Sequence, residues 1–178
     1  DYNKPIMEGK PWLLAMDLDG TVWDNLNISG INPPYEKIDS EKIRGENTVV
    51  TIYKSAVEFM IWCKRHGAII TSLSWNKKEH AMEALEKFGI IDLFDYNATD
   101  YTPDKDKRLL DLINILKAKG INITPDRIVY IDDRDIHMDA IKKSVGDIIF
   151  INIWKTAKNY DEAKDVIKKK ILGYETTA

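Results

Sequence analysis

The sequence predicts an α/β fold, a three-layer α/β/α sandwich around a central parallel sheet, on three observations. Short continuous apolar runs recur along the 178 residues, as expected of strands covered on both faces. Segments with helical spacing of apolar side chains separate most of these runs. Glycine stands just past three of those segments, at Gly67, Gly89 and Gly120, where a left-handed residue commonly closes a helix. Strands alternating with helices in this way build a parallel sheet with helices on both faces.

The first apolar run, residues 11–16, reads as a buried strand and leads directly into Asp17-Leu-Asp19-Gly20-Thr21. A polar stretch over 24–48, containing Gly30, Pro33-Pro34 and Gly45, shows neither strand nor helix periodicity. It is longer than most connections in compact domains, which predicts a functional flap or loop beside the site. An extended piece over 48–53 precedes a helix over 55–66, with Val57, Met60, Ile61 and Cys63 on one face. The β-branched run 68–73 is a second buried strand, ending in Ser72-Leu-Ser74-Trp75-Asn76, and a helix follows over 77–88. Residues 90–96 read as a short strand or turn. Thr102-Pro103-Asp104 then signals a helix start, with Leu109, Leu112, Ile113 and Leu116 facing inward. A third buried strand over 127–131 ends in Asp132-Asp133, followed by a helix over 135–145, a fourth strand over 147–153 and an amphipathic helix over 161–172.

Composition bounds the function. A hydrophobic content of 44% over 178 residues supports one domain spanning 1–178 with its own core. The net charge of −3 and pI near 5.7 give no reason to expect a nucleic-acid partner. No apolar run approaches the roughly 20 residues that span a bilayer, and the opening residues show no leader pattern. The expectation is a cytoplasmic protein without a membrane partner. Cys63 is the single cysteine and lies in a helical pattern, so it reads as a packed side chain rather than a nucleophile.

Right-handed crossovers bring every strand-to-helix turn to one edge of a parallel sheet, where ligands bind. Three of those turns are chemically loaded: Asp17-x-Asp19, Ser72-x-Ser74 and Asp132-Asp133. The helix preceding the third strand adds Lys105 and Lys107 at its start. Two like charges about 4 Å apart repel by about 4 kcal/mol at an effective dielectric near 20. Four converging carboxylates therefore call for a hard cation, and an all-oxygen donor set suits Mg²⁺. Magnesium recruits phosphate, and a serine hydroxyl with a lysine ammonium supplies the donors a phosphoryl group needs. The combination points to phosphoryl transfer.

In this order, DLDGT at 17–21, a strand ending in Ser74, a lysine at a helix start and YIDDRDIHMD from Tyr130, the sequence resembles the haloacid dehalogenase-like phosphohydrolases. The resemblance covers nearly the whole chain and implies a Rossmann-like core. It implies a phosphatase that hydrolyses phosphomonoesters through an aspartyl-phosphate on Asp17, with Asp19 as acid and then base. Asp133 aligns with the metal-binding acid and Asp132 with a supporting role, while the carbonyl of Asp19 also binds the metal. Ser74 contacts the phosphoryl group, and either Lys105 or Lys107 offsets its charge, Lys105 better keeping the spacing to Leu109 and Leu112. Only about 30 residues separate Ser74 from Lys105, too few for a large cap domain. Among capless members the sequence is most similar to the magnesium-dependent phosphatase-1 group. That group commonly has arginine after the motif serine, where this chain has Trp75. Arg134 or Lys77 can stand in for that guanidinium, and Trp75 can stack on a flat or sugar-like leaving group. The expected substrate is a phosphorylated small molecule or a phosphoprotein. Phosphotransfer to another acceptor, or phospholigand binding without catalysis, are the competing functions.

Plainer readings stand beside these. Ser72 and Ser74 suit a helix cap, and one of Lys105 and Lys107 is solvated. His66, His80 and His137 lack metal-ligand spacing and read as surface side chains, while Trp12, Trp62 and Trp154 read as core.

Overall fold

The computed structural model describes residues 10–174; the opening residues lie outside that range. In chain order, β1 (Trp12–Met16) precedes a small antiparallel unit of β2 (Glu36–Lys37), β3 (Lys42–Gly45) and β4 (Thr48–Thr51). Next come α1 (Lys54–Arg65), β5 (Ala68–Trp75), α2 (Lys78–Lys87), β6 (Tyr96–Asp100) and α3 (Lys105–Ala118). The chain continues with β7 (Ile128–Asp132), α4 (Met138–Ser144), β8 (Ile149–Asn152) and α5 (Tyr160–Lys170). Five strands form the parallel sheet in the order β6-β5-β1-β7-β8. This is the expected Rossmann-like sandwich, and no large cap is inserted among the described residues. Within that range no helix is long and apolar enough to cross a membrane.

Strand alternation divides the core. Trp12, Leu14 and Met16 of β1, with Val129 and Ile131 of β7, pack into a cluster that includes α1, α2 and α5. Leu13 and Ala15, with Ile128 and Tyr130, face the other side toward α3 and α4. Successive side chains of a strand point to opposite faces, so a run apolar at every position covers both layers. Burying a side chain such as Leu13 or Leu14, both fully enclosed, contributes about 1.5–3 kcal/mol.

The structure decides several details. The stretch over 24–48, read as a flap or loop without periodicity, is ordered, and together with Thr48–Thr51 it forms the antiparallel sheet β2-β3-β4. Its core is Ile28, Ile31, Tyr35, Ile43 and Val50, continuous with the main cluster. Of the two readings of 90–96, strand or turn, the turn holds as the 3₁₀ segment Ile91–Leu93, while the edge strand lies further on, at Tyr96–Asp100, where the sequence pattern marked none. Leu93 and Phe94 are buried, so their hydrophobicity serves packing under the sheet edge. Finally, His66, His80 and His137 are all buried rather than at the surface. His66 Nδ1 pairs with the Trp62 carbonyl and His80 Nδ1 with that of Ile28. Trp12 is core as expected, whereas Trp62 and Trp154 are only partly buried against it.

Candidate active site

The carboxyl edge of the sheet gathers the side chains singled out in sequence. Asp17 leaves β1 with its N–H still donating to the Ile131 carbonyl, 3.0 Å away, so its backbone stays locked to β7. The chain then turns through Gly20 at φ +70°, which favours glycine. A Cβ there would stand 2.5 Å from Asp133 Oδ2. Glycine is thus required twice, by the turn and by the close approach of the second acidic loop. Thr21 fastens the two loops: its hydroxyl lies 2.8 Å from Asp17 Oδ2 and 3.3 Å from Asp133 Oδ1, and accepts from the Asp133 N–H.

Lys105 opens α3 and is only 1% exposed. Its ammonium donates to Asp17 Oδ1 and Asp132 Oδ2, each at 2.9 Å, and to the Tyr130 hydroxyl at 3.2 Å. Tyr130 in turn donates to Asp132. Asp132 also accepts from the Arg134 N–H through Oδ1, so both of its oxygens are engaged and none of its surface is exposed. Lys107 is solvent-exposed; of the two candidate lysines only Lys105 reaches the carboxylates. One turn before the inward Leu109, Lys105 shares that residue's buried side of the helix.

The electrostatics follow from one ammonium among three carboxylates. Burial is the main reason the Asp17 carboxyl is held well above its ordinary range; Lys105 opposes the rise and Asp132 adds to it. Burial also pushes Asp132 up, but the Lys105 charge and the Tyr130 bond outweigh it and leave this group below the usual range. Asp133 is raised, chiefly by burial and by Asp132. Oxygen atoms of Asp17, Asp132 and Asp133 all lie within 4.8 Å of one another. At that separation each surplus charge pair costs about 3–4 kcal/mol at an effective dielectric near 20. With Asp132 satisfied by Lys105 and Tyr130, Asp17 and Asp133 are the pair left short of positive charge. An all-oxygen set with that deficit fits a hard divalent cation.

Asp19 stands apart from this cluster. Its Oδ1 accepts from Trp23 Nε1 at 2.8 Å and from the Ile28 N–H at 3.1 Å, both in the flap region. Burial raises its carboxyl, while the Trp23, Ile28 and Asn76 bonds restrain the rise. Ser74 is fully buried and does not line the cavity; its Oγ accepts from Asn76 Nδ2 at 2.7 Å. Asn76 accepts from Ser29 Oγ, which itself accepts the Lys77 N–H. The cap-like contact of α2 therefore comes from Ser29 in the flap, whereas Ser72 bonds Asn97 and Thr99. The Arg108 guanidinium ties β5 to the next loop by donating to the carbonyls of Ser74 and Thr102.

A cavity of about 130 Å³ opens above these groups, lined by Asp17, Asp19, Leu26, Trp75, Asp133 and Arg134. Arg134 is its one cationic wall. Lys77 does not line it; the Lys77 ammonium lies 5.4 Å from the centre of the Tyr101 ring. No sequence pattern marks Ser29, Asn76, Arg108 or Leu26 as site residues. Tyr130 alone carried a readable signal, since it lies two residues before Asp132 and thus on the same strand face.

No family model and no curated protein matches the sequence. Solved structures do match it. The N-terminal part of a Bacteroides fragilis protein, containing a phosphatase domain complexed with Mg, superposes with a TM-score of 0.56 at 18% identity. The match covers 95% of this chain and 42% of that one, so this chain spans less than half the length of that solved chain. A haloacid dehalogenase-superfamily hydrolase from Geobacter sulfurreducens gives 0.62 at 12% identity over 92% of this chain and 99% of that one. A phosphoserine phosphatase, solved as a phospho-aspartyl intermediate analogue, gives 0.54 at 14% identity over 90% and 99%. The fold is that of the haloacid dehalogenase-like hydrolases.

Proposed function

We propose that this chain is a Mg²⁺-dependent phosphatase that hydrolyses phosphomonoesters through an aspartyl-phosphate on Asp17. The supporting observation is the junction of Asp17, Lys105, Asp132 and Asp133 beneath a cavity that Asp19 also lines. Asp17, Asp133 and the main-chain carbonyl of Asp19 would hold the ion, with Asp132 behind them. When bound, the ion supplies positive charge to the carboxylates and to the phosphoryl oxygens.

In the first half of the cycle an Asp17 oxygen bonds to phosphorus as the ester P–O bond breaks. Asp19, whose carboxyl is raised by burial, gives its proton to the departing oxygen. In the second half Asp19 takes a proton from water as that water's oxygen attacks phosphorus. The Asp17–phosphorus bond breaks and inorganic phosphate leaves. Lys105 orients Asp17 and offsets its charge throughout. Arg134 faces the phosphoryl oxygens, taking the place of an arginine after Ser74. Ser74 works one step removed, by holding the Asn76 amide beside Asp19. A phosphorylated small molecule or a phosphoprotein is the substrate.

Release of p-nitrophenol from p-nitrophenyl phosphate, with Mg²⁺ and with EDTA, tests this reading. Turnover is expected only with the metal, and Asp17→Asn is expected to lower it by about 10³-fold or more. Activity that survives the substitution would remove Asp17 as the nucleophile.

A further inference from the structure

The two acidic loops are joined by more than Thr21: the connection from β8 into α5, residues 152–160, also holds both. Asn152 Nδ2 donates to the Asp132 carbonyl at 3.0 Å, and the Lys155 ammonium donates to the carbonyl of Asp133. Trp154 Nε1 donates to the Gly20 carbonyl at 2.7 Å, and the Tyr160 hydroxyl to that of Thr21 at 2.8 Å. One short segment thus engages two successive carbonyls in each loop through four side chains. None of the four lines the cavity, and none of these bonds reaches a carboxylate. Lys155 is exposed, where water competes for its carbonyl, so the weight falls on the buried Asn152 and Tyr160 and the half-buried Trp154.

Trp154 makes its bond from a strained backbone, at φ +71°. A bulky side chain in this left-handed region is rare, and glycine would relieve it. Such strain persists only where the surroundings over-determine it. Here the indole packs against the rings of Tyr53 and Tyr160, with centroids 4.8 and 5.5 Å away. The Asn152 carbonyl closes the turn by accepting the N–H groups of Lys155 and Thr156 at 3.2 and 3.0 Å. The carbonyl that Trp154 holds belongs to the residue whose Cβ, if present, would stand 2.5 Å from Asp133 Oδ2. The first loop is therefore gripped where it crowds the second. Asp17 and Asp133 are the pair short of positive charge, and their repulsion drives the loops apart. The neutral donors of Asn152, Trp154 and Tyr160 oppose that movement without altering the charge of the site.

Resting on the phosphatase reading, we infer that residues 152–160 form a clamp that sets the spacing of the Asp17 and Asp133 loops for a small divalent cation, with Trp154 and Tyr160 as its positioning residues. Mg²⁺ demands a near-ideal octahedral shell at about 2.0–2.1 Å, whereas Ca²⁺ accepts a more flexible one at about 2.3–2.6 Å. Loosening the clamp therefore weakens Mg²⁺ more than Ca²⁺.

Calorimetric titration of the metal-free chain with Mg²⁺ and, separately, with Ca²⁺ reads this spacing without turnover. Trp154→Phe keeps a ring against Tyr53 but removes the donor to Gly20. Tyr160→Phe keeps the ring that packs on Phe59 at 5.0 Å and removes the donor to Thr21. Each should weaken Mg²⁺ by about tenfold and Ca²⁺ by about twofold or less. A purely structural role would lower the urea midpoint without moving the ratio of the two affinities. An unchanged ratio in Trp154→Phe, or an equal loss for both ions, overturns the inference; if Trp154→Phe does not fold, Tyr160→Phe decides by the same criteria. Turnover of p-nitrophenyl phosphate by the native chain is scored apart. A shifted ratio without any turnover leaves the clamp standing and removes the phosphatase reading, and a native chain that binds neither ion overturns both.

Discussion

The floor of the site and the flap beside it are held by different forces. The floor is ionic: Lys105, Asp17, Asp132 and Tyr130 come from α3, β1 and β7 and meet with almost no exposure. The flap is held chiefly by neutral contacts, its ion pairs Lys42–Asp39 and Arg44–Glu36 lying at the exposed surface: Trp23 stacks on Phe88 at 5.9 Å, Ser29 bonds Asn76, and Ile28, Ile31 and Ile43 pack into the main core. An ionic junction buried in a low dielectric fails as a unit, because losing one partner strands the others. A packed neutral unit loses contacts one at a time. Changes in the floor should therefore damage stability and chemistry together, whereas changes in the flap should separate them.

Lys105→Met is the largest test of that contrast. It preserves much of the volume but leaves Asp17 and Asp132 buried without their cation. A loss of about 3–5 kcal/mol in unfolding free energy is expected, together with loss of turnover, measured by urea denaturation and by phosphate release. A stable, inactive Lys105→Met would mean that the ionic floor serves chemistry alone.

A matched pair of glycines sharpens the comparison. Gly20→Ala puts a Cβ 2.5 Å from Asp133 Oδ2 at φ +70°, so about 2–4 kcal/mol is expected. The displaced Asp133 should also raise the Mg²⁺ concentration needed for half-maximal turnover. Gly45→Ala in β3 meets Ile31 Cγ2 and Tyr35 Cδ1 at 2.7 Å, an overpacked contact worth about 1–3 kcal/mol. It should leave the Mg²⁺ requirement where it was. Equal shifts in that requirement would show that flap and floor are coupled more tightly than their bonding implies.

The same division decides what could be read in sequence. The floor was legible because strand ends concentrate chemistry: Asp17, Asp132 and Asp133 follow apolar runs, and Lys105 falls in step with Leu109 and Leu112. The flap was not. Its strands have two to four residues, too short for alternation to show, and its apolar residues are spread among turns. Asn76 and Ser29 left no trace because their bond spans 47 residues and follows no periodicity. The run Ile90-Ile91-Asp92-Leu93-Phe94 shows a different limit, since its apolar pattern left strand and turn both open and the turn is what forms. Hydrophobicity marks burial, and a 3₁₀ turn under a sheet edge buries side chains as well as a strand does. His66 and His80 failed for a related reason, since an imidazole can be enclosed once a backbone carbonyl meets a ring nitrogen.

His137 supplies the smallest test, at the border of the floor. Its Nε2 is buried without a hydrogen-bond partner. Burial first, then the charges of Lys105, Arg134 and Arg108, hold its pKa down at about 4, with only Asp132 pulling it up. In the unfolded chain the group titrates near 6.5. Between these values the unfolded state binds the extra proton, so stability is complete above about pH 6.5 and falls as pH drops toward 4. The opposing charges act partly through water, so this histidine accounts for about 1–2 kcal/mol of the fall. His137→Gln cannot titrate, and its unfolding free energy should decline less than that of the native chain between pH 7 and 4.5. Identical slopes would mean that the imidazole is protonated in the folded state as readily as in the unfolded one. The floor's positive charge would then not extend to α4, and the ionic region would end at Lys105.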